Sequence, residues 1–233
     1  MPDPRVVGLD LSLSSTGIAT PDGQIITHGY SLPKAATDAE RVTRLTHLRD
    51  HLLTICRRRC SCGDTGWIED EGWSPYEYGP PAKERRPWDG LVPCGWCNHG
   101  DDDHRDPAQP RHGVDLVVIE GFSFGSPQGA TEAGGLGWTI RIALTEACVP
   151  FAVVPPSTLK KFATGKGNAG KDDMKLAALS RLGIEFTGKG SGDRCDATWL
   201  RVMGLDALGC QVVDLPAVNR QALAKVAWPE VAG

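Results

Sequence analysis

The chain has 233 residues, enough to bury a full core, and its 40% hydrophobic and 23% charged content is that of a folded globular protein. No apolar run approaches the ~20 residues a membrane helix needs, so no membrane partner is expected. A net charge of −4 argues against a protein that coats nucleic acid indiscriminately, while leaving room for a local basic face. The amino terminus passes almost at once into a strand pattern without the regions of a signal peptide, which predicts a cytoplasmic protein.

In chain order, VVGLDLS (Val6 to Ser12), GIAT and QIITHGYSL read as three strands in a meander, with Pro21-Asp22-Gly23 as the second turn. Thr37-Asp38-Ala39-Glu40 has the form of a capping box, and Val42, Leu45, Leu48, Leu52 and Ile55 recur behind it at helical spacing, so a helix ends near Cys56. From there to His112 the texture changes to seven prolines, seven glycines and four of the seven tryptophans without periodicity, which marks an insertion. DLVVIEGF (Asp115 to Phe122) restores the continuous apolar run of a buried strand. A Gly/Ala-rich helix follows over about Thr131 to Ala147, and FAVVPP is a further short strand. Ser157 is placed to cap a short helix, TGKGNAG is a loop, Lys171 to Leu182 is a helix stopped by Gly183, and a last main helix runs from about Asp193 to Leu208. The order predicts an α/β fold: a mixed five-stranded sheet with helices on both faces. Cys148, Cys195 and Cys210 sit in apolar helical settings and are assigned to the core.

Four acids carry the chemistry. Asp10 interrupts one apolar strand and Glu120 ends another, and a carboxylate in such a place is costly unless its charge is paired or binds a metal. Asp193 and Asp196, three apart in GDRCDATWL, project from one helix face. Phosphodiester cleavage by two metal ions needs several carboxylates converging on cations ~3.5–4 Å apart, and acids on separate strands plus a helical pair suit that need. Residues 157–190 add seven basic side chains against three acidic ones.

These residues resemble a known family. Asp10 in GLDLSLSSTG, Glu120 in VVIEGF, and Asp193 and Asp196 in GDRCDA are similar to the four acidic positions of the RuvC Holliday-junction resolvases, and PPSTLKKFATGKGNAGK is similar to that family's lysine-glycine-lysine loop. The match covers about residues 5–55 and 114–210 and is closest to phage-type members. The resemblance implies a ribonuclease-H-like fold and a homodimeric endonuclease, dependent on two Mg2+ or Mn2+ ions per site, that cuts four-way DNA junctions. It places Lys160 and Lys171 in the catalytic loop. Lys161 and Lys166 become candidates for the DNA backbone, and Phe122 and Phe124 for stacking on an unpaired base.

Five of the eight cysteines fall between positions 56 and 97. Cys60-Ser61-Cys62 and Cys94-Gly95-Trp96-Cys97 form two thiolate pairs suited to a closed structural Zn2+ site, with Cys56 and His99 as competing ligands. The expected organisation is therefore a nuclease domain at 1–55 and 113–233 interrupted by a zinc-ribbon-like insertion at 56–112. His99, His104 and His112 are expected to face solvent. Two rival functions are weaker. A sugar-kinase-like reading of Asp10 to Gly17 lacks a second phosphate motif and leaves Asp193 and Asp196 idle. A noncatalytic zinc DNA-binding module leaves four acids beside DNA unexplained. Whether junctions alone or also flaps and forks are cut stays open.

Overall fold

The computed structural model describes residues 3–33, 35–56, 67–69, 91–93, 113–121 and 127–230. In chain order the elements are β1 (Val6–Asp10), β2 (Thr16–Ala19), β3 (Ile25–His28), α1 (Asp38–Cys56), β4 (Trp67–Glu69), β5 (Leu91–Pro93), β6 (Leu116–Glu120), α2 (Pro127–Glu146), β7 (Phe151–Val154), α3 (Pro156–Thr164), α4 (Lys171–Leu182), α5 (Ser191–Ala207) and a four-residue α6 (Ala217–Arg220). A 3-10 turn, Leu223–Lys225, follows α6. The chain divides into two compact units, Met1–Arg57 with Val114–Gly233, and Arg58–Gly113. In the smaller unit β4 and β5 form an antiparallel pair with Ile68 opposite Val92. Three-residue strands are too short to leave a period-2 signal in the sequence.

The larger unit is built on a five-stranded sheet in the order β3-β2-β1-β6-β7. β1, β2 and β3 pair antiparallel, and β1, β6 and β7 run parallel, so the sheet is mixed. Strand alternation sorts the apolar side chains into two cores. Val6, Leu116, Val118, Ala152 and Val154 face α3, α4 and α5. Val7, Leu9, Val117 and Ile119 face the other way, against Leu48 and Leu52 of α1 and Leu136, Ile140 and Leu144 of α2. Helices on both faces follow from strands that are apolar on both sides.

The caps agree with the local chemistry, with one exception. Thr37 Oγ1 accepts from the Glu40 amide at 3.3 Å, and Glu40 accepts from the Thr37 amide at 2.7 Å, closing the reciprocal box. Ser157 does not cap α3: it lies inside the helix, because Pro156 takes the first helical position, where its missing N–H costs nothing. On α1 the buried stripe is Arg44, Leu48, Leu52 and Cys56, while Val42 is 62% exposed. Arg44 is buried because Glu132 of α2 accepts from its guanidinium at 2.7 Å. Cys195 is buried and Cys210 partly so, but Cys148 is exposed, in a left-handed turn just past α2 (φ 55°). The core assignment fails for Cys148 because the helix ends before it. Among the described residues no helix is long and apolar enough to cross a membrane.

Candidate metal centre and its basic rim

Three of the four singled-out acids meet at one end of the sheet. Asp10 is the last residue of β1 and does not interrupt it, and Glu120 is the last residue of β6. The parallel register pairs Gly8 with Val118 and Leu9 with Ile119, so the two acids stand one step further along adjacent strands. Alternation puts both on the face that carries Val6, Leu116 and Val118, toward α5. That is the carboxyl end of the parallel strands, where open α/β sheets form their binding crevices.

The third acid comes from α5, which lies unusually close to the sheet. A Cβ on Gly8 would overlap the Ala197 carbonyl oxygen and stand 2.6 Å from the Arg201 nitrogen. A Cβ on Gly17, the residue opposite Asp10 in the β1–β2 pair, would overlap the Asp193 carbonyl and stand 2.9 Å from the Arg194 nitrogen. Gly204 continues the close approach, with Val118 and Val6 filling the space of its absent side chain. Three glycines thus let the helix backbone settle onto β1, β2 and β6, which brings Asp196 to the strand ends. Sequence reading passed over Gly8 and Gly17; the signal available was glycine alternating with Asp10 on one strand face.

Carboxylate oxygens of Asp10, Glu120 and Asp196 all lie within 4.8 Å of one another. Asp193 stands outside this convergent set, in the first turn of α5, yet its charge is felt by all three. Burial is the leading cause that pushes each of the three carboxyls up from its ordinary range; repulsion from Glu120 adds to it for Asp10 and Asp196, while the hydrogen bond from Asp10 pulls Glu120 back down. Asp10 is raised well above the usual aspartate value by burial, then by Glu120, to which it donates a hydrogen bond. Asp196 is pushed up to about 7. Like charges crowded into a half-buried cleft are tolerable when a proton or a cation sits among them. An all-oxygen, all-carboxylate donor set fits a hard divalent ion such as Mg2+ or Mn2+.

Two lysines oppose this repulsion. Lys160 of α3 and Lys171, the first residue of α4, both lower Glu120 and Asp196 electrostatically. Lys171 also reaches the start of α5: a Cβ on Gly192 would lie 3.8 Å from its Nζ. Lys161 is half-buried on α3, and Lys166 is exposed in the loop joining α3 to α4. That loop is internally bonded: Thr164 Oγ1 donates to Lys160 O and accepts from the Lys166 amide at 3.1 Å, and Asp173 accepts from the Gly170 amide at 2.9 Å. Arg194 ties the approach to α5 with bonds to the Thr187 and Lys189 carbonyls at 2.8 and 2.9 Å.

Phe122, Phe124, Cys60, Cys62, Cys94, Cys97, His99, His104 and His112 lie outside the described residues. No protein-family model matches the sequence, and neither does any curated protein. Among solved structures the chain is similar to Thermus thermophilus RuvC at 14% identity and TM-score 0.48, covering 90% of this chain and 99% of that one. It is also similar to T. thermophilus RuvC in complex with a Holliday junction substrate, at 12% identity and TM-score 0.48, covering 91% of this chain and 99% of that one.

Proposed function

We propose that the chain is a divalent-metal-dependent endodeoxyribonuclease of the RuvC type, ribonuclease-H-like in fold, that hydrolyses phosphodiester bonds in branched DNA, four-way junctions foremost. The observation that carries this reading is the convergence of Asp10, Glu120 and Asp196 at the carboxyl end of two parallel strands, with Lys160 and Lys171 beside them. The residue motifs of the sequence point the same way.

In this reading Asp10, Glu120 and Asp196 hold Mg2+ or Mn2+, with Asp193 completing the acidic wall for a second ion. Bound there, the ions supply an activated water and neutralise the leaving oxygen. The chain's own groups do the rest. The carboxylates fix the site on rigid strand ends and one helix, so little reorganisation accompanies the reaction. Lys160 and Lys171 offer positive charge to the scissile phosphate, where negative charge develops. Lys161 and Lys166 carry the DNA backbone along the α3–α4 loop, and Phe122 and Phe124 stack on an unpaired base.

The protein acts as a homodimer, since two equivalent sites suit a two-fold symmetric junction. Residues 56–112 form a zinc-bound insertion in a nuclease domain made of 1–55 and 113–233. Its ligands are Cys60, Cys62, Cys94 and Cys97, and its role is structural.

Labelled four-way, three-way, flap, duplex and single-stranded DNAs with mapped cut sites test the function. Symmetric nicks near the crossover are expected, and cutting of every branched form alike would replace junction resolution with general branch cleavage. Altering the partners of metal ligands alone costs about 10- to 100-fold. Asp10→Asn, Glu120→Gln or Asp196→Asn should therefore cost more than about 100-fold in cutting while junction binding persists. Full activity in one of these variants removes that residue from the ligand set.

A further inference from the structure

The segment after α5 is where the fold holds a polar residue that the acids and lysines do not account for. Asn219, in α6, is 2% exposed. Its Nδ2 donates to the Phe162 carbonyl at 2.7 Å. Phe162 lies in the last turn of α3, where carbonyls have no partner inside the helix. The Asn219 Oδ1 faces Gly165, which ends α3 in a left-handed conformation (φ 83°); a Cβ there would come 3.3 Å from that oxygen. One buried amide thus grips the point at which the chain leaves Lys160 and Lys161 and enters the loop to Lys171.

The grip is itself anchored. Arg220, the next residue, donates to Asp206 near the end of α5 at 2.9 Å and to the Val213 carbonyl at 3.2 Å. Ala222 and Val226 sit in the core with Leu159 and Phe162. A continuous path therefore runs from the far end of α5 through Arg220 and Asn219 to the end of α3. The same helix that carries Asp193 and Asp196 at its start fixes the lysine loop through its other end.

We propose that Asn219 is a positioning residue: the carboxyl-terminal segment 216–228 is a brace that holds the Lys160–Lys171 loop in register with the acidic cluster. It touches neither metal nor DNA and acts through the lysines. Its consequence for cutting rests on the nuclease reading; its consequence for loop order does not.

The test compares the full-length wild type with Asn219→Ala, Asn219→Gln, Lys171→Met and the double variant Asn219→Ala/Lys171→Met. Asn219→Ala should speed amide hydrogen exchange across 163–170 and leave Mn2+ half-saturation unchanged. It should also lower kcat on a nicked junction substrate by about 10- to 100-fold, the scale of small misplacements of a reacting group, with little change in KM. Asn219→Gln, which keeps the amide donor, should recover part of both effects and stands in if the alanine variant does not fold. The double variant should lose less than the product of the two single losses, because part of the brace's effect passes through Lys171. Unchanged exchange in the loop of a folded variant, or losses that multiply in the double variant, would overturn the proposal. A wild type that cuts no DNA defeats the nuclease reading instead, and the exchange measurement then still decides the brace.

Discussion

The environment of Asp196 departs strongly from what a solvated side chain would meet. Burial, then repulsion from Glu120, moves its carboxyl from 3.8 to about 7, against the pull of Lys171 and Lys160. A carboxyl raised in the folded state favours the protonated form there, so its stabilising effect is complete below the ordinary aspartate range and is lost as pH climbs through about 7. Metal-free protein should therefore lose melting temperature between about pH 4 and pH 8. Asp196→Asn should flatten that decline and raise Tm at pH 8 in chelator, while losing most of the stabilisation that Mg2+ gives the wild type. Calorimetric scans of both proteins across this range, with and without Mg2+, check it. A lower Tm for Asp196→Asn at pH 8 without metal would mean that the charge is compensated by something other than a cation.

Residue identity alone placed one acid within an apolar strand, one at the end of another and two more on one helix face, which made Asp10, Glu120, Asp193 and Asp196 legible as a group; that Asp10 ends its strand came from the structure. Residue identity did not tell Asp193 from the others. Whether a side chain in the first turn of α5 joins the convergent set depends on the rotation of that helix against the sheet, and no local pattern encodes it.

Between elements, the contact that matters most is α5 against β1 and β2, and it depends on glycine. Gly17→Ala would drive a methyl into the Asp193 carbonyl. Overpacking of this kind costs about 1–3 kcal/mol, and the relief open to the helix is to lift away from the strands, carrying Asp193 and Asp196 with it. Gly17→Ala should lower both Tm and cutting. Thr37→Ala supplies the contrast: loss of the α1 cap costs about 1 kcal/mol far along the chain from the acids, and cutting should be retained. Equal loss of activity in both variants would separate activity from the seating of α5.

The elements themselves were read well where chemistry is local. Lys171–Leu182, ended by Gly183, is the helix that its stop signal predicts. Ser157 was misread because a cap signal competed with Pro156 one position earlier, and Val42 because helical spacing gives a stripe but not the angle at which the stripe meets its neighbour. α6 left no usable signal, since a four-residue helix spans about one turn and the helical period never repeats within it.

At the scale of the molecule, the two compact units have separate roles in the proposed function: the larger carries the acids and lysines, the smaller the thiolates. A strong chelator should release about one zinc per chain from the purified protein. After Mg2+ is restored, junction nicking should persist, measured beside elemental analysis of the treated sample. Nicking that returns only when zinc is added back would tie the insertion to the cutting step, and absence of zinc from the untreated protein would remove the metal from the insertion.

The sequence by itself determined the kind and order of the main elements and the chemistry of the site. Period-2 and period-3.6 patterns, caps and buried charges are properties of neighbours along the chain. Only the tertiary structure decided which acids converge, that glycines at positions 8 and 17 seat α5, and that Asn219 reaches back 57 residues to the end of α3. Those outcomes are set by register and close packing between distant segments, where a single methyl group is enough to change the answer.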